Sequence, residues 1–277
     1  MVPTLFTNVN ILDGTGMLPY RGSVLVEGNR IRQVGRSTAA ITPAGATLID
    51  GAGATLMPGM VEAHTHFSWN DAATLSGIQT MPLEEHVLWC AKVAKRYLHA
   101  GFTSCLGAAC AKPRLDVVIR NAINNGQIPG PRYLAASQEI TVPGGLGDET
   151  LPHLPFPEFS FGVNVNSAED MRKSVRMFLK YGVDSIKINL SGDNFVPGAD
   201  SHTAWMTDAE VAAAVEEVKM RGKRIIVHAR SKASIQQALR HGIELIYHAS
   251  FTDTETLDMM EAAKDRIFVV PGIAILY

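Results

Sequence analysis

Pro58-Gly59-Met60-Val61-Glu62-Ala63-His64-Thr65-His66 ends an apolar run on two imidazoles set two residues apart. On an extended strand residues i and i+2 share a face, so His64 and His66 aim together at one point. Two neutral imidazoles converging on a point are the start of a metal site. The stretch also marks a change of rhythm: short strands broken by turns precede it, and strands alternating with helices follow it.

Working back towards the N-terminus, Leu5–Leu12, Ser23–Glu27, Arg30–Val34 and Thr47–Asp50 read as short strands. Val24 and Val26, then Ile31 and Gln33 with Arg30 and Arg32 opposite, show the alternation of half-buried antiparallel strands, and Glu27-Gly28-Asn29-Arg30 is a tight hairpin signal. About fifty residues cannot close a sandwich alone. Residues 1–57 are therefore expected to be the N-terminal part of a β-sandwich whose partner strands come from elsewhere in the protein.

Working forward, apolar strands are expected at Gly59–His64, Thr103–Gly107, Arg132–Ser137, Ser185–Leu190, Arg224–Ala229, Leu245–His248 and Ile267–Val270. Amphipathic stretches lie between them, at Pro82–Ala100, Leu115–Asn124, Ala168–Tyr181, Thr207–Arg221, Lys232–His241 and Asp253–Lys264. Ser167 with Asp170 and Thr207 with Glu210 are helix-start signals, and glycines at 101, 126, 182, 222 and 242 are stops. Such alternation means an α/β fold, a parallel sheet covered by helices. The sevenfold repeat favours a (β/α)8 TIM-type barrel over an open sheet, and no Gly-x-Gly-x-x-Gly follows the first strand to argue for a dinucleotide fold. Residues 58–277 are read as this barrel without its last strand, so the C-terminal part is expected to be missing from the chain. The apolar run 271–277, which stops abruptly, suggests a fragment of a longer protein.

Composition narrows the function. A chain of 277 residues, 46% hydrophobic with a formal net charge of −2, has enough apolar side chains for a large core and carries no basic block, which sets nucleic acid aside as a partner. No segment reaches the length of a membrane span, and the N-terminus lacks the unbroken apolar core of a signal peptide. Cys90, Cys105 and Cys110 lack ribbon or disulfide spacing and read as buried free thiols of a cytoplasmic protein.

In a parallel barrel the reactive groups sit at the C-terminal ends of strands. Ser185-Ile186-Lys187-Ile188-Asn189-Leu190 places Lys187 on a strand, where an ammonium is costly unless paired or neutralised. Ile225-Ile226-Val227-His228-Ala229-Arg230 ends with His228 and Arg230 on one face, and Leu245-Ile246-Tyr247-His248 ends with His248, which leaves Tyr247 facing the helices. Arg230 is expected to hold a substrate carboxylate or carbonyl. Gly144 and Gly145, in the Gly-rich loop after the third strand, are expected to touch substrate, although turn geometry would explain them equally well. His86, His99, His202 and His241 fall outside this register and read as structural or solvated.

Pro-Gly-x-Val-Glu-x-His-x-His, a strand-borne Lys and two separate strand-borne His resemble the metal-dependent amidohydrolase superfamily. Ile186-Lys187-Ile188-Asn189-Leu190-Ser191-Gly192 and Val227-His228-Ala229-Arg230 resemble its imidazolonepropionase-like and Xaa-Pro or Xaa-Arg dipeptidase branch. The resemblance implies that His64 and His66 bind zinc, that His228 and His248 hold a second zinc, and that Lys187, carboxylated on its amine, bridges the two. It further implies hydrolysis of an amide-type C–N bond by a zinc-activated hydroxide, with Lys187, His228 and His248 in the catalytic centre and the general-base Asp beyond Tyr277. The substrate would be a small-molecule amide, and barrels of this size often form homo-oligomers. Relatives often place a His after the paired glycines, where this chain has Leu146. The alternatives are a mononuclear deaminase, against which Ser231 stands where such enzymes carry Glu, and a truncated non-catalytic barrel.

Overall fold

The hairpin at Glu27–Arg30 forms where the turn residues call for it, joining β2 (Tyr20–Glu27) to β3 (Arg30–Arg36), with β1 (Thr4–Ile11) antiparallel to β2 on the other side. The computed structural model describes residues 2–36, 41, 45–154, 156–193 and 196–272, so residues 273–277 of the expected apolar run lie outside it. Two further strands, β4 (Thr47–Asp50) and β5 (Thr55–Leu56), lie parallel to β1. These five strands make one compact unit, Met1–Met60. Leu5, Val9, Ile11, Val24 and Leu25 form its core, while Ile31, Val34, Leu48 and Ile49 are exposed.

The second unit, Val61–Tyr277, alternates strands with helices. It begins with β6 (Met60–Thr65), α1 (Leu75–Gln79), α2 (Leu83–His99), β7 (Phe102–Gly107) and α3 (Leu115–Asn124). There follow β8 (Arg132–Leu134), β9 (Ala136–Thr141), β10 (Val163–Asn164), α4 (Ala168–Tyr181) and β11 (Ser185–Asn189). The remainder is α5 (Asp208–Met220), β12 (Arg224–Ala229), α6 (Lys232–Arg240), β13 (Leu245–His248), α7 (Thr254–Ala262) and β14 (Phe268–Val270). One sheet runs β6-β7-β8 and a second runs β10-β9-β11-β12-β13-β14, whose strands pair parallel. The expected α/β architecture is the observed one.

The helices start and stop for local reasons. Ser167 accepts the Asp170 amide at α4, and Thr207 and Glu210 form a reciprocal capping box at α5. Gly182 ends α4 at φ 94°, a left-handed conformation that lets its N–H reach the Phe178 and Leu179 carbonyls. The third strand departs from expectation: it breaks at residue 135 and then continues to Thr141. Asp116 occupies that break, accepting hydrogen bonds from the Tyr133 hydroxyl (2.5 Å) and the Ala136 amide (3.2 Å).

Strand alternation sorts the cores. Ile186, Ile188, Val227, Ala229 and Ile246 pack outward against Met171, Val175 and Phe178 of α4 and Val211 and Val218 of α5. Each such aliphatic side chain contributes roughly 1.5–3 kcal/mol on full burial. Leu106, Ala108, Ile226, Leu245 and Tyr247 form a separate cluster on the opposite face. That alternation leaves Lys187, Asn189 and His228 on the side away from the helices. The three cysteines are buried and free, and burial pushes the Cys105 thiol up to about 12, so they act as small apolar fillers.

Candidate metal centre

Four imidazoles form a continuous line. Ring centroids are 5.1 Å apart from His66 to His64, 5.1 Å from His64 to His248 and 4.6 Å from His248 to His228. They line a cavity of about 240 Å³ together with Lys187, Glu139, Asp193 and Trp69. The structure thus brings together all five residues singled out as metal ligands: His64, His66, Lys187, His228 and His248.

Hydrogen bonds fix which nitrogen of two rings carries the lone pair. His66 Nδ1 lies 3.3 Å from the Ala109 carbonyl and His228 Nε2 lies 3.1 Å from the Gly192 carbonyl. A carbonyl only accepts, so these nitrogens donate, and His66 Nε2 and His228 Nδ1 are left as donors to a cation. Burial and then mutual repulsion with neighbouring cations keep the rings neutral: His66 and His248 are pushed down to about 3, and His64 and His228 also fall well below the ordinary histidine range.

Lys187 is buried, with Nζ 3.7 Å from Glu139 Oε1 and 5.2 Å from the centre of the Tyr247 ring. Glu139 is its cross-strand partner in the β9–β11 register. Desolvation moves the lysine down and the carboxyl up, so both lean towards their neutral forms. Asn189 completes the arrangement by donating to Glu139 Oε2 (2.7 Å) and to the Leu146 carbonyl (2.8 Å).

His248 reaches the cavity by a route the sequence does not reveal. In the β12–β13 register His228 pairs with Tyr247, and His248 pairs with Ala229, which faces the helices. Regular alternation therefore puts Tyr247 inside, contrary to the expectation that it faces outward. It stacks on His64 at 4.1 Å and its hydroxyl donates to the Ala63 carbonyl. His248 turns into the same cavity because its backbone is left-handed, at φ 75°, with Ala249 at φ 48°.

The residues expected to contact substrate have partners within the protein. Arg230 is buried in an ion pair: its Nε donates to Asp193 Oδ2 at 2.6 Å and its Nη1 to Ser250 Oγ at 2.9 Å, while Asp193 is the residue that lines the cavity. A guanidinium with an adjacent carboxylate is held by it rather than left open. The amides of Gly144 and Gly145 are used inside their loop, donating to Asp148 Oδ2 (2.8 Å) and the Val142 carbonyl (2.9 Å), and Gly144 sits at φ 77°. They shape the turn that presents Leu146 to the cavity.

Glu139, Asp193, Tyr247 and Trp69 were missed by sequence reasoning. Asp193 has an oxygen within 4.8 Å of donor nitrogens of both His228 and His248, making a three-residue cluster able to hold a cation. The donor set fits a divalent metal: neutral imidazoles, a buried amine and carboxylates. The buried His248 Nδ1 lacks a hydrogen-bond partner among the described residues, and a Cβ on Gly272 would stand 3.3 Å from it.

Residues 55–264 match the Amidohydrolase family, and the chain belongs to that family. Over 231 residues it is 26% identical to an ochratoxinase of Aspergillus niger, a match covering 74% of this chain and 45% of the relative. A shorter match, 48% identical over 65 residues, is to a 5'-deoxyadenosine deaminase of Methanothermobacter thermautotrophicus and covers 23% of this chain and 14% of that protein. Among solved structures, a prolidase complexed with N-methylphosphonate-L-proline superimposes with a TM-score of 0.86 at 26% identity, over 98% of this chain and 66% of that one. A Xaa-Pro dipeptidase with bound methionine in the active site gives 0.85 at 26%, over 98% and 67%. The chain thus spans less than half the length of the ochratoxinase and about two thirds of these solved chains.

Proposed function

We propose that this chain carries the catalytic centre of a zinc-dependent hydrolase that cleaves an amide-type C–N bond in a small molecule. The line of four imidazoles from β6, β12 and β13, with the Lys187 amine beside them, is the observation that carries the reading. The strands from β6 to β14, leaving aside β10 and taking β8 and β9 as one interrupted strand, are the first seven of a (β/α)8 barrel, and the N-terminal β-layer is part of a sandwich. His64 and His66 would hold one zinc and His228 and His248 a second, with carboxylated Lys187 as a ligand they could share.

When bound, such metals acidify water and polarise a carbonyl. The protein's own residues prepare the site. Burial favours the neutral Lys187 amine; its lone pair adds to carbon dioxide and the nitrogen loses one proton, which leaves an anionic oxygen ligand in place of a buried cation. The Ala109 and Gly192 carbonyls orient His66 and His228, and Tyr247 supports His64 from below. Ser231 favours hydrolysis over deamination, because its hydroxyl accepts the Ser234 amide as the cap of α6 and offers no carboxylate for a proton shuttle. Buried free thiols accord with a reducing compartment, and no helix among the described residues is long and apolar enough to cross a membrane.

The test is metal analysis and intact mass of the full-length protein, with amide-hydrolysis assays. About two zinc ions per chain, an added carbon dioxide on Lys187 and loss of both metal bridging and activity in Lys187→Ala are expected. An active Lys187→Ala enzyme would sink the carbamate bridge, and a metal-free protein would sink the hydrolase.

A further inference from the structure

One wall of the cavity bears no charge. Trp69, Leu75 and Leu146 line it beside His66, and Phe161 and Ile78 are buried in the same apolar cluster. This wall is held rigidly from several elements. Trp69 stacks on His66 at 4.1 Å and meets Phe161 edge-on at 6.1 Å. Its backbone carbonyl accepts from Trp89 Nε1 at 2.9 Å. Leu75 opens α1 directly after the Thr74 cap, whose hydroxyl accepts the Gly77 amide. Leu146 is clamped through its carbonyl by Asn189, the same side-chain amide that holds Glu139 beside Lys187. A single hydrogen-bonded side chain thus sets the distance between the apolar wall and the lysine.

A rigid apolar face beside convergent polar groups is the usual make-up of a small-ligand pocket. An ionised substituent placed against these side chains would give up water for an indole and two leucines, whereas an aromatic or branched aliphatic one would bury its surface against them. Trp69 Nε1 is itself buried without a hydrogen-bond partner among the described residues, a donor that a bound oxygen would satisfy. We propose that Trp69, Leu75 and Leu146 form a subsite for an apolar, ring-sized group flanking the scissile bond, so that the substrates are amides of aromatic or branched apolar acids rather than of charged ones. The proposal rests on the reading of this cavity as the amide-cleaving site.

Binding and cleavage are measured separately on the metal-loaded, full-length protein. In calorimetry phenylacetate is expected to bind at least about tenfold more tightly than acetate. That preference is expected to persist in Leu146→Met, which conserves volume, to shrink in Leu146→Ala, and to vanish in Leu146→Asp. Equal affinities, no measurable phenylacetate binding, or an unchanged preference in Leu146→Ala overturn the subsite. Hydrolysis of phenylacetylglycine is then compared with that of acetylglycine. Preferential binding with neither amide cleaved leaves the subsite standing and counts against the amide-cleaving reading. Cleavage of both without preference does the reverse.

Discussion

The histidines of β6 and those of β12 and β13 meet in one cavity but are held there by different forces. β12 is a central strand, hydrogen-bonded to β11 on one side and β13 on the other, and five of its six residues are buried. β6 ends its sheet, with Val61 69% exposed and only Thr65 fully buried. Ladders on both sides therefore position His228, while His64 and His66, beside a ladder on one side, gain further support from Tyr247 and Trp69 stacked on the two rings and from the Ala109 carbonyl on His66 Nδ1. The less anchored half of the site is braced by aromatic residues from elsewhere in the fold.

The strongest way to break that asymmetry is Tyr247→Leu. It removes the ring beneath His64 and the hydroxyl bonded to Ala63, and a loss of about 3 kcal/mol in urea unfolding is expected from such a buried aromatic. Metal held by His64 and His66 should be lost before metal held by His228 and His248, and Tyr247→Phe should retain both. Unchanged metal content in Tyr247→Leu would show that β6 positions its own ligands.

A second test addresses the joint at which β8 gives way to β9. Burial raises the Asp116 carboxyl to about 6, against the hydrogen bonds from Tyr133 and Ala136 that favour its charged form. The native protein keeps this proton up to about pH 6, whereas an unfolded chain releases it near 3.8, the ordinary value of an aspartate. Between those values the native state binds more protons, so the contribution is fully present below the lower one and is lost as pH rises through the upper, by up to about 3 kcal/mol. Stability measured from pH 4 to 7 should show this fall relative to Asp116→Asn. Parallel profiles for the two proteins would mean that the carboxyl is ionised throughout.

The smallest effect is expected at the entrance to α6, just after His228. Ser231→Ala removes a helix cap and should cost about 1 kcal/mol while leaving metal content intact. Loss of metal in that variant would give Ser231 a part in the site beyond capping.

Much of this was legible in the amino-acid order. Period-two alternation marked β11 and β12, and capping residues placed α4 and α5, because these are local effects of backbone geometry. Pro58–His66, Lys187, His228 and His248 stood out because imidazole or amine at the end of an apolar strand needs an explanation beyond packing. What stayed hidden depends on register and on backbone conformations that no neighbouring residue dictates. Tyr247 faces inward because β13 pairs it with His228, and His248 joins it through a left-handed turn at a non-glycine residue. Glu139 was obscured because its strand runs past residue 137, and its partner Lys187 is 48 positions away in the chain. Sequence alone determined which residue types were available for metal chemistry and on which strands they lie. The tertiary structure decided which of them face one another, since only cross-strand register and burial bring a carboxylate to a lysine, commit Arg230 to Asp193 and set Leu146 against the site.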